Sequence, residues 1–193
     1  MERDAVLVTG GNSGIGFECA RRLAREGWRV AMASRDRAAS AQAVARITGE
    51  TGNDAVCEMG LDLGSTASVR QLAREIAERG LLLRALVCNA GLQTNVLRLS
   101  SDGYERTFAV NHLGHFLLVN LLLERLRAQA PARIVVVASG VHDPRITTGA
   151  RSRLGSGARL SAGAALHLGS HPTRRRALAD AGRAEHQPGR QGR

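Results

Sequence analysis

A short apolar segment near the start of the chain leads directly into a glycine-rich turn, and this junction restricts the fold more than any other feature. Ala5–Val8 has the composition of a buried strand, and Gly14–Glu26 has apolar residues at helical spacing that ends at Gly27. Glycines let a backbone turn tightly and approach a ligand closely, and the first turn of a helix offers free N–H groups to phosphates. The segment therefore predicts a phosphate-binding strand–loop–helix unit, in which Asn12 and Ser13 add side-chain donors.

The same alternation of apolar strands and amphipathic helices continues to residue 144. Further strands are predicted at Arg29–Ala33, Ala55–Met59, Ala85–Cys88 and Arg133–Ala138. Further helices are predicted at Arg37–Ile47, at Thr66–Arg79 with Ser65 as its cap, and between Asp102 and Ala128, where two helices follow in near continuity. Apolar strands separated by helices indicate a parallel sheet covered on both faces. Residues 1–144 are thus expected to form an incomplete, Rossmann-like doubly wound α/β domain of about five strands.

The composition changes abruptly after Pro144. Residues 1–144 hold 17 arginines against 15 acidic residues, whereas residues 145–193 hold 10 arginines against 2, so the net charge of +10 belongs mostly to the second segment. This segment has no Val, Phe, Tyr, Trp, Met or Cys, and it is predicted to be a largely disordered tail because it buries too little apolar surface to offset its ordering entropy. It also lacks the aromatic residues that stack on bases, which argues against specific nucleic-acid binding.

Other features narrow the function classes. The sequence has no run of about 18 apolar residues, so no membrane span is predicted. Its N-terminus has no basic segment followed by an apolar one, so no secretory signal is predicted either. Cys19, Cys57 and Cys88 lie within predicted helices or strands without the spacing of a metal site, which indicates reduced, buried thiols. We therefore expect a cytoplasmic protein without a metal.

Five short elements follow one another along residues 1–144 in an order and spacing typical of a known enzyme family. The glycine turn reads Gly10-x-x-x-Gly14-Ile15-Gly16, rather than the usual G-x-G-x-x-G of dinucleotide-binding loops. The other four are Asp62-Leu63 after the third strand, Asn89-Ala90-Gly91 after the fourth, Asn111 within a helix, and Ser139 at the end of the fifth strand. Together they resemble the short-chain dehydrogenase/reductase family. Residues 12–18 and 111–118 are similar to its retinol-dehydrogenase and protochlorophyllide-reductase branch.

The resemblance implies a role for each element. The glycine turn would hold the pyrophosphate of a nicotinamide cofactor, Asp62 and Leu63 would contact its adenine ring, and residues 89–91 would steady the sheet beside it. Ser139 would hydrogen-bond the oxygen of a carbonyl or alcohol substrate, and Asn111 would hold a water molecule in the proton relay. In this family a tyrosine, followed four residues later by a lysine, transfers the proton, while the nicotinamide exchanges a hydride with the substrate.

The end of the second predicted strand bears on the choice between NADP and NAD. Enzymes that use NAD usually place an acidic residue there to bind the ribose 2′-hydroxyl. This chain has Ser34 in that position, followed by Arg35, whose guanidinium can bind a 2′-phosphate through two parallel hydrogen bonds. NADP(H) is therefore the predicted cofactor, and NAD is the less favoured one. The alternative is that Arg35 only pairs with Asp36 or lies in solvent.

The chain departs from the family where the proton-transferring pair should follow. It has no lysine, and its single tyrosine, Tyr104, precedes Asn111 and is expected to be a packed ring near the sheet edge. Arginine cannot replace the lysine as a proton carrier because it stays charged. The break after Pro144 is typical of a reading-frame shift in a GC-rich gene, and we interpret the C-terminal part as missing or frameshifted.

Two functions therefore stay open. The chain is either an NADP-dependent oxidoreductase that acts on a small carbonyl or alcohol substrate, or an inactive module that only binds the cofactor. An oligomer is compatible with either function, although half of the family's usual helix-pair interface is absent. His112 and His115 lack the spacing of a metal site and are expected on the surface or in the core. His142 and Asp143 follow Ser139 too closely to adopt the geometry of a catalytic triad.

Overall fold

Strands and helices alternate along the part of the chain that the computed structural model describes, residues 4–94 and 96–139. The strands are β1 (Ala5–Thr9), β2 (Arg29–Ser34), β3 (Val56–Gly60), β4 (Leu83–Cys88) and β5 (Arg133–Val136). The helices are α1 (Gly14–Arg25), α2 (Arg37–Thr51), α3 (Thr66–Glu78), α4 (Arg106–Phe108) and α5 (Gly114–Ala128). A π-helical turn, Ala109–Leu113, joins α4 to α5 without a break. The boundary predicted at residue 144 and the predicted disordered tail lie outside the described residues.

All five strands are parallel and lie in the order β3-β2-β1-β4-β5. The central strand is β1, in which Leu7 lies beside Ala31 of β2 and Leu86 of β4. The chain builds the sheet outwards from β1 to β3, and then continues on the other side of β1 with β4 and β5. This reversal creates a crevice at the carboxyl ends of β1 and β4, where ligands bind in doubly wound sheets. The predicted fold class and the number of strands are confirmed.

A pair of helices covers each face of the sheet. On one face Val8 packs in a cluster with Ile47 of α2 and with α1. On the other face Leu7 belongs to a cluster with Leu72 of α3 and Leu118 of α5. Val8 and Leu7 reach different clusters because successive side chains of a strand point to opposite faces. All five side chains are fully buried, and each contributes roughly 1.5–3 kcal/mol relative to an exposed position.

Capping side chains decide where the helices begin. The Ser65 hydroxyl oxygen accepts the backbone N–H of Ser68 at 3.3 Å, so Ser65 caps α3 as predicted. The Glu105 carboxylate accepts the N–H groups of Thr107 and Phe108 at 2.8 and 2.7 Å. Helix α4 therefore begins at Arg106, and the predicted start at Asp102 was wrong.

The last described strand lies at an edge of the sheet. Val135 and Val136 of β5 are 45% and 47% exposed, in contrast to the fully buried side chains of the central strand β1. The strand ends at Val136, two residues before the predicted end at Ala138, although the N–H of Val137 still donates to the Cys88 carbonyl at 3.0 Å. None of the helices in residues 4–94 and 96–139 combines the length and the apolar character needed to cross a membrane.

Candidate functional site

Backbone conformation and close packing account for the glycines between β1 and α1. Gly10 and Gly14 have positive φ angles of 67° and 54°, a region that residues with a side chain rarely adopt. Gly16 is required for a different reason, because a Cβ atom there would lie 2.2 Å from the Gly10 carbonyl oxygen and 2.5 Å from Nδ2 of Asn89. Because these glycines have no side chain, α1 can begin directly against the end of β1.

The N-terminus of α1 is left uncovered by the described part of the chain. Ser13 occupies the cap position but makes no capping hydrogen bond to the described part of the chain, unlike Asp36 and Ser65 at the starts of α2 and α3. Ile15 is 72% exposed, and a Cβ atom on Gly14 would meet no described atom within 4 Å. Free N–H groups at the positive end of a helix dipole attract phosphates. The turn therefore fits a pyrophosphate group.

Thr9, the last residue of β1, connects the glycine turn to the loop after β4. Its hydroxyl oxygen accepts the backbone N–H groups of Asn89 and Ala90 at 2.9 and 3.0 Å. Nδ2 of Asn89 donates in turn to the Thr9 carbonyl oxygen at 3.0 Å. Thr9 is fully buried, so water does not compete for these hydrogen bonds. Sequence reasoning assigned no separate role to Thr9, although its position directly before Gly10 was a usable signal.

Asn111, in the π-helical turn, holds the same loop from the other side. Its Oδ1 accepts the N–H of Leu92 at 2.8 Å, and its Nδ2 donates to the Leu92 carbonyl oxygen at 2.9 Å. A Cβ atom on Gly91 would lie 3.5 Å from Oδ1, so the amide packs against that glycine. The structure thus brings Asn111 together with the loop after β4. Its amide binds backbone there, and the predicted role in holding a water molecule stays a prediction.

These loops border a cleft of about 220 Å³ at the carboxyl ends of β1 to β4. The cleft brings together seven of the predicted cofactor residues, namely Gly10, Asn12, Arg35, Asp62, Leu63, Ala90 and Gly91. It is also lined by Ala33, Ser34, Asp36, Leu61, Leu92 and Val110. The other predicted cofactor residues, Ser13, Gly14, Ile15, Gly16 and Asn89, lie in the adjoining glycine turn and β4 loop and do not line it.

The side of the cleft formed by the end of β2 has an unusual distribution of charge. The Ser34 hydroxyl is buried and lies 2.6 Å from the Ser40 hydroxyl, so a neutral group stands where an acid would bind a ribose. Asp36 accepts the N–H of Ala39 at 2.9 Å as the cap of α2. Arg37 pairs with Glu58 at 2.7 Å. Arg35 is exposed and has no ion pair with any described residue, so the alternative pairing with Asp36 is not formed, whereas the other alternative, exposure to solvent, matches the structure.

Asp62 and Leu63 form a third side of the cleft. Oδ1 of Asp62 accepts the N–H of Gly64 at 2.9 Å, which fixes the carboxylate at the rim. Leu63 is buried, and Gly114 at the start of α5 packs so closely that a Cβ atom there would lie 2.3 Å from the Leu63 carbonyl oxygen. Sequence reasoning missed Gly114. A glycine inside a helical pattern, where it is unfavourable, was the available signal.

A buried histidine lies beneath the cleft. Nε2 of His115 is 2.9 Å from the Thr9 hydroxyl oxygen, and Nδ1 is 3.4 Å from the Asn111 carbonyl oxygen. Burial lowers the pKa of His115 from 6.5 to about 4, so the ring is neutral at pH 7. His115 is therefore a core residue, one of the two placements that the sequence left open. No group of three or more His, Cys, Asp or Glu side chains forms a metal site among the described residues.

The cysteines are not candidates for a nucleophile. Burial raises the pKa of the Cys88 thiol to about 12, and it also raises the pKa values of Cys19 and Cys57. A thiol must lose its proton before it can attack or bind a metal, and burial disfavours the thiolate. All three cysteines are free thiols, and Cys88 is buried as predicted, whereas Cys19 and Cys57 are only half-buried.

Ser139 and Tyr104 lie in two different segments, one after β5 and the other in the loop between β4 and α4. Ser139 is exposed and comes three residues after β5, beside the end of β4. Tyr104 lies in the turn before α4, which is bound to the start of α3 because Asp102 accepts the N–H of Thr66 at 2.7 Å. The turn therefore lies at the start of α3, the helix that follows the edge strand β3. Tyr104 is 50% exposed, so the expected packed ring is only half covered.

Comparison with known proteins agrees with this geometry. Residues 4–150 match the family model of the short chain dehydrogenases. Over 137 residues the chain is 48% identical to the WW domain-containing oxidoreductase of Danio rerio and 45% identical to retinol dehydrogenase 12 of Mus musculus. Each alignment covers 71% of this chain but only 33% and 43% of these relatives, so the chain spans less than half of their length.

A solved structure gives the same result for the fold. The short-chain dehydrogenase from Sphingobium yanoikuyae in complex with NADPH superimposes with a TM-score of 0.64 at 27% identity, over 74% of this chain and 57% of that one. The match over residues 4–150 and the shared parallel sheet show that this chain belongs to the short-chain dehydrogenase/reductase family and is similar to its retinol-dehydrogenase branch.

Proposed function

We propose that this chain binds NADP(H) in the cleft at the carboxyl ends of β1 to β4, as an oxidoreductase of the short-chain dehydrogenase/reductase type. The observation that supports this most directly is Arg35, an exposed guanidinium at the cleft with no ion pair among the described residues. Its neighbours on the same segment are engaged, Asp36 as a helix cap and Arg37 with Glu58. Arg35 is thus the cation that can receive a 2′-phosphate, whereas the neutral Ser34 offers no carboxylate to the 2′-hydroxyl of NAD.

The remaining cleft residues suit the other parts of the cofactor. The open start of α1, with Asn12 and Ser13, would bind the pyrophosphate. Asp62 and Leu63, at the third side of the cleft, would contact the adenine ring. Asn89, Ala90 and Gly91 would hold the loop beside the nicotinamide, which supplies or accepts the hydride when it is bound.

On the substrate side, Ser139 and Asn111 are the proposed catalytic residues. The Ser139 hydroxyl would hydrogen-bond the oxygen of a carbonyl or alcohol and stabilise developing negative charge there. The sequence similarity to retinol dehydrogenase 12 supports a lipophilic aldehyde or alcohol as the small-molecule substrate.

A second candidate function is cofactor binding without turnover. It is favoured by the absence of lysine from the sequence and by the position of Tyr104, the single tyrosine, in a turn that is bound to the start of α3. An arginine cannot act as the missing proton carrier because it stays charged. Under this proposal the chain would bind NADPH and leave it unoxidised.

Fluorescence titration with NADPH and NADH tests the cofactor proposal. The unaltered chain should bind NADPH more tightly than NADH. Arg35→Gln should weaken NADPH binding about 10–100-fold, the effect of losing a charge-assisted hydrogen bond, and should leave NADH binding unchanged. Arg70→Gln, which removes an exposed arginine of α3 outside the cleft, serves as the control and should change neither. Equal affinities for the two cofactors, or an Arg35→Gln variant that binds NADPH normally, would refute the assignment.

The same preparation distinguishes the two functions. If a lipophilic aldehyde causes NADPH to be consumed, the chain is an active reductase and another group supplies the proton. If NADPH binds with the expected Arg35 dependence and is not consumed, the chain is a binding module.

A further inference from the structure

The buried histidine of α5 makes contacts that bear on the geometry of the cofactor cleft. His115 is 8% exposed and lies between the end of β1 and the π-helical turn. Its two ring nitrogens approach two different parts of the site, the Thr9 hydroxyl at 2.9 Å and the Asn111 carbonyl oxygen at 3.4 Å. Neither contact depends on an exposed group, so the arrangement belongs to the interior of the fold.

The hydrogen-bonding capacity of Thr9 determines which nitrogen has the proton. A hydroxyl group has one donor and two acceptor positions. The N–H groups of Asn89 and Ala90 can only donate, and they occupy both acceptor positions of Thr9. The Thr9 proton must then go to an acceptor, either Nε2 of His115 at 2.9 Å or the Val87 carbonyl oxygen at the longer distance of 3.3 Å. A proton on Nε2 would face a hydroxyl with no free acceptor position.

The same reasoning fixes the other nitrogen. If Nε2 is unprotonated in a neutral ring, Nδ1 must hold the proton. Nδ1 then donates to the Asn111 carbonyl oxygen, which is the acceptor within reach at 3.4 Å. The neutral Nδ1–H tautomer is therefore the one form of His115 that satisfies Thr9 and Asn111 together.

We propose that His115, as the neutral Nδ1–H tautomer, is a positioning residue for the cofactor cleft. It orients the Thr9 hydroxyl, which holds the Asn89–Ala90 backbone against the glycine turn, and it fixes the helical turn whose Asn111 side chain clamps Leu92. Gly10, Ala90 and Leu92 line the cleft, so His115 sets the separation of two of its walls without touching it. The inference rests on the proposed binding of NADP(H).

Two variants separate positioning from simple filling of space. In His115→Gln, the side-chain carbonyl oxygen can take the place of Nε2 and accept the Thr9 proton. In His115→Leu the space is filled, but no side-chain acceptor replaces Nε2, and the Thr9 proton is left with the Val87 carbonyl oxygen at the longer distance of 3.3 Å. His115→Leu should therefore weaken NADPH binding about tenfold, as expected for one lost buried hydrogen bond, while His115→Gln should stay within about twofold of the unaltered chain. His112→Leu removes the neighbouring histidine, which does not line the cleft, and should bind NADPH normally.

Nitrogen-15 NMR of the histidine side chains reads the tautomer directly in the unaltered chain. The signal that disappears in His115→Gln should show a protonated, pyrrole-like Nδ1 and an unprotonated, pyridine-like Nε2 at neutral pH. Amide hydrogen exchange at Asn89 and Ala90 should be faster in His115→Leu than in the unaltered chain, and similar in His115→Gln. These two measurements need no cofactor, so they decide the role of His115 even if NADPH binding itself fails.

The outcomes are separable. A protonated Nε2, or a His115→Leu variant with unchanged NADPH affinity and unchanged exchange at Asn89 and Ala90, would overturn the positioning role. If the unaltered chain does not bind NADPH but shows the expected tautomer and exchange pattern, the cofactor proposal fails, while the coupling of His115 to the two loops holds.

Discussion

Gly16→Ala is the substitution for which the structure predicts the clearest steric clash. The added Cβ atom would lie 2.2 Å from the Gly10 carbonyl oxygen and 2.5 Å from Nδ2 of Asn89. Both distances are below 3.0 Å, which Cβ atoms in proteins essentially never show, and the shorter one involves backbone. Relief requires the start of α1 or the glycine turn to move, and such overpacking costs about 1–3 kcal/mol.

The higher helix propensity of alanine raises the free energy of unfolding, whereas the clash lowers it. The propensity effect must therefore be measured separately. Replacing glycine by alanine in a helix interior stabilises by about 1 kcal/mol. Gly49, an exposed residue in α2, provides the matched control, because a Cβ atom there would meet no described atom within 4 Å. Gly49→Ala should therefore raise the free energy of unfolding by up to about 1 kcal/mol. The difference between the two variants isolates the steric cost.

Urea unfolding followed by circular dichroism measures both values. We expect Gly16→Ala to be less stable than Gly49→Ala by about 1–3 kcal/mol, with unchanged slopes of the unfolding curves. Gly16→Ala should also bind NADPH more weakly, because the displaced Gly10 carbonyl belongs to a cleft-lining residue. Equal unfolding midpoints for the two alanine variants would refute the close packing of α1 against the glycine turn.

Two further predictions concern charge. Gly14→Asp should abolish NADPH binding, because it places a carboxylate at the start of α1. The control is Gly14→Asn, whose side chain has a similar size and also tolerates the positive φ of 54°; it should bind NADPH at least about tenfold more tightly than Gly14→Asp. Equal affinities of the two variants in a fluorescence titration would contradict a phosphate site there. Between pH 6.5 and about 4 the unfolded chain binds a proton at His115 that the folded chain does not, because burial lowers the pKa of His115 to about 4. The unaltered chain should therefore lose up to about 3 kcal/mol of stability relative to His115→Gln as the pH falls from 7 to 4. A stability difference that stays constant with pH in urea unfolding would show that His115 is protonated equally in both states.

Local patterns in the sequence were sufficient for the elements of the fold. The five strands and their helices follow from apolar runs and helical spacing, which depend on residues only a few positions apart. Ser65 was predicted as a cap because a hydroxyl in that position satisfies a free N–H of the next turn. Ends of elements were predicted less accurately. Capped by Glu105, α4 begins at Arg106, four residues later than predicted. Helix α2 continues past the predicted end at Ile47 to Thr51, where Gly52 caps it with a φ of 69°.

Sequence by itself thus determined the strand–helix alternation, the glycine turn after the first strand and the neutral-then-basic pair Ser34-Arg35, because each is a property of neighbouring residues. Only the tertiary structure decided how these parts meet. The contacts of Thr9 with Asn89 and with His115 join residues 80 and 106 positions apart, and they exist because β4 pairs with β1 and α5 packs beneath them. The same holds for Gly114. A side chain is excluded at this position because a Cβ atom would collide with the Leu63 carbonyl oxygen, which lies on another loop. Strand order and helix packing set such distances, and no local pattern in the chain encodes them.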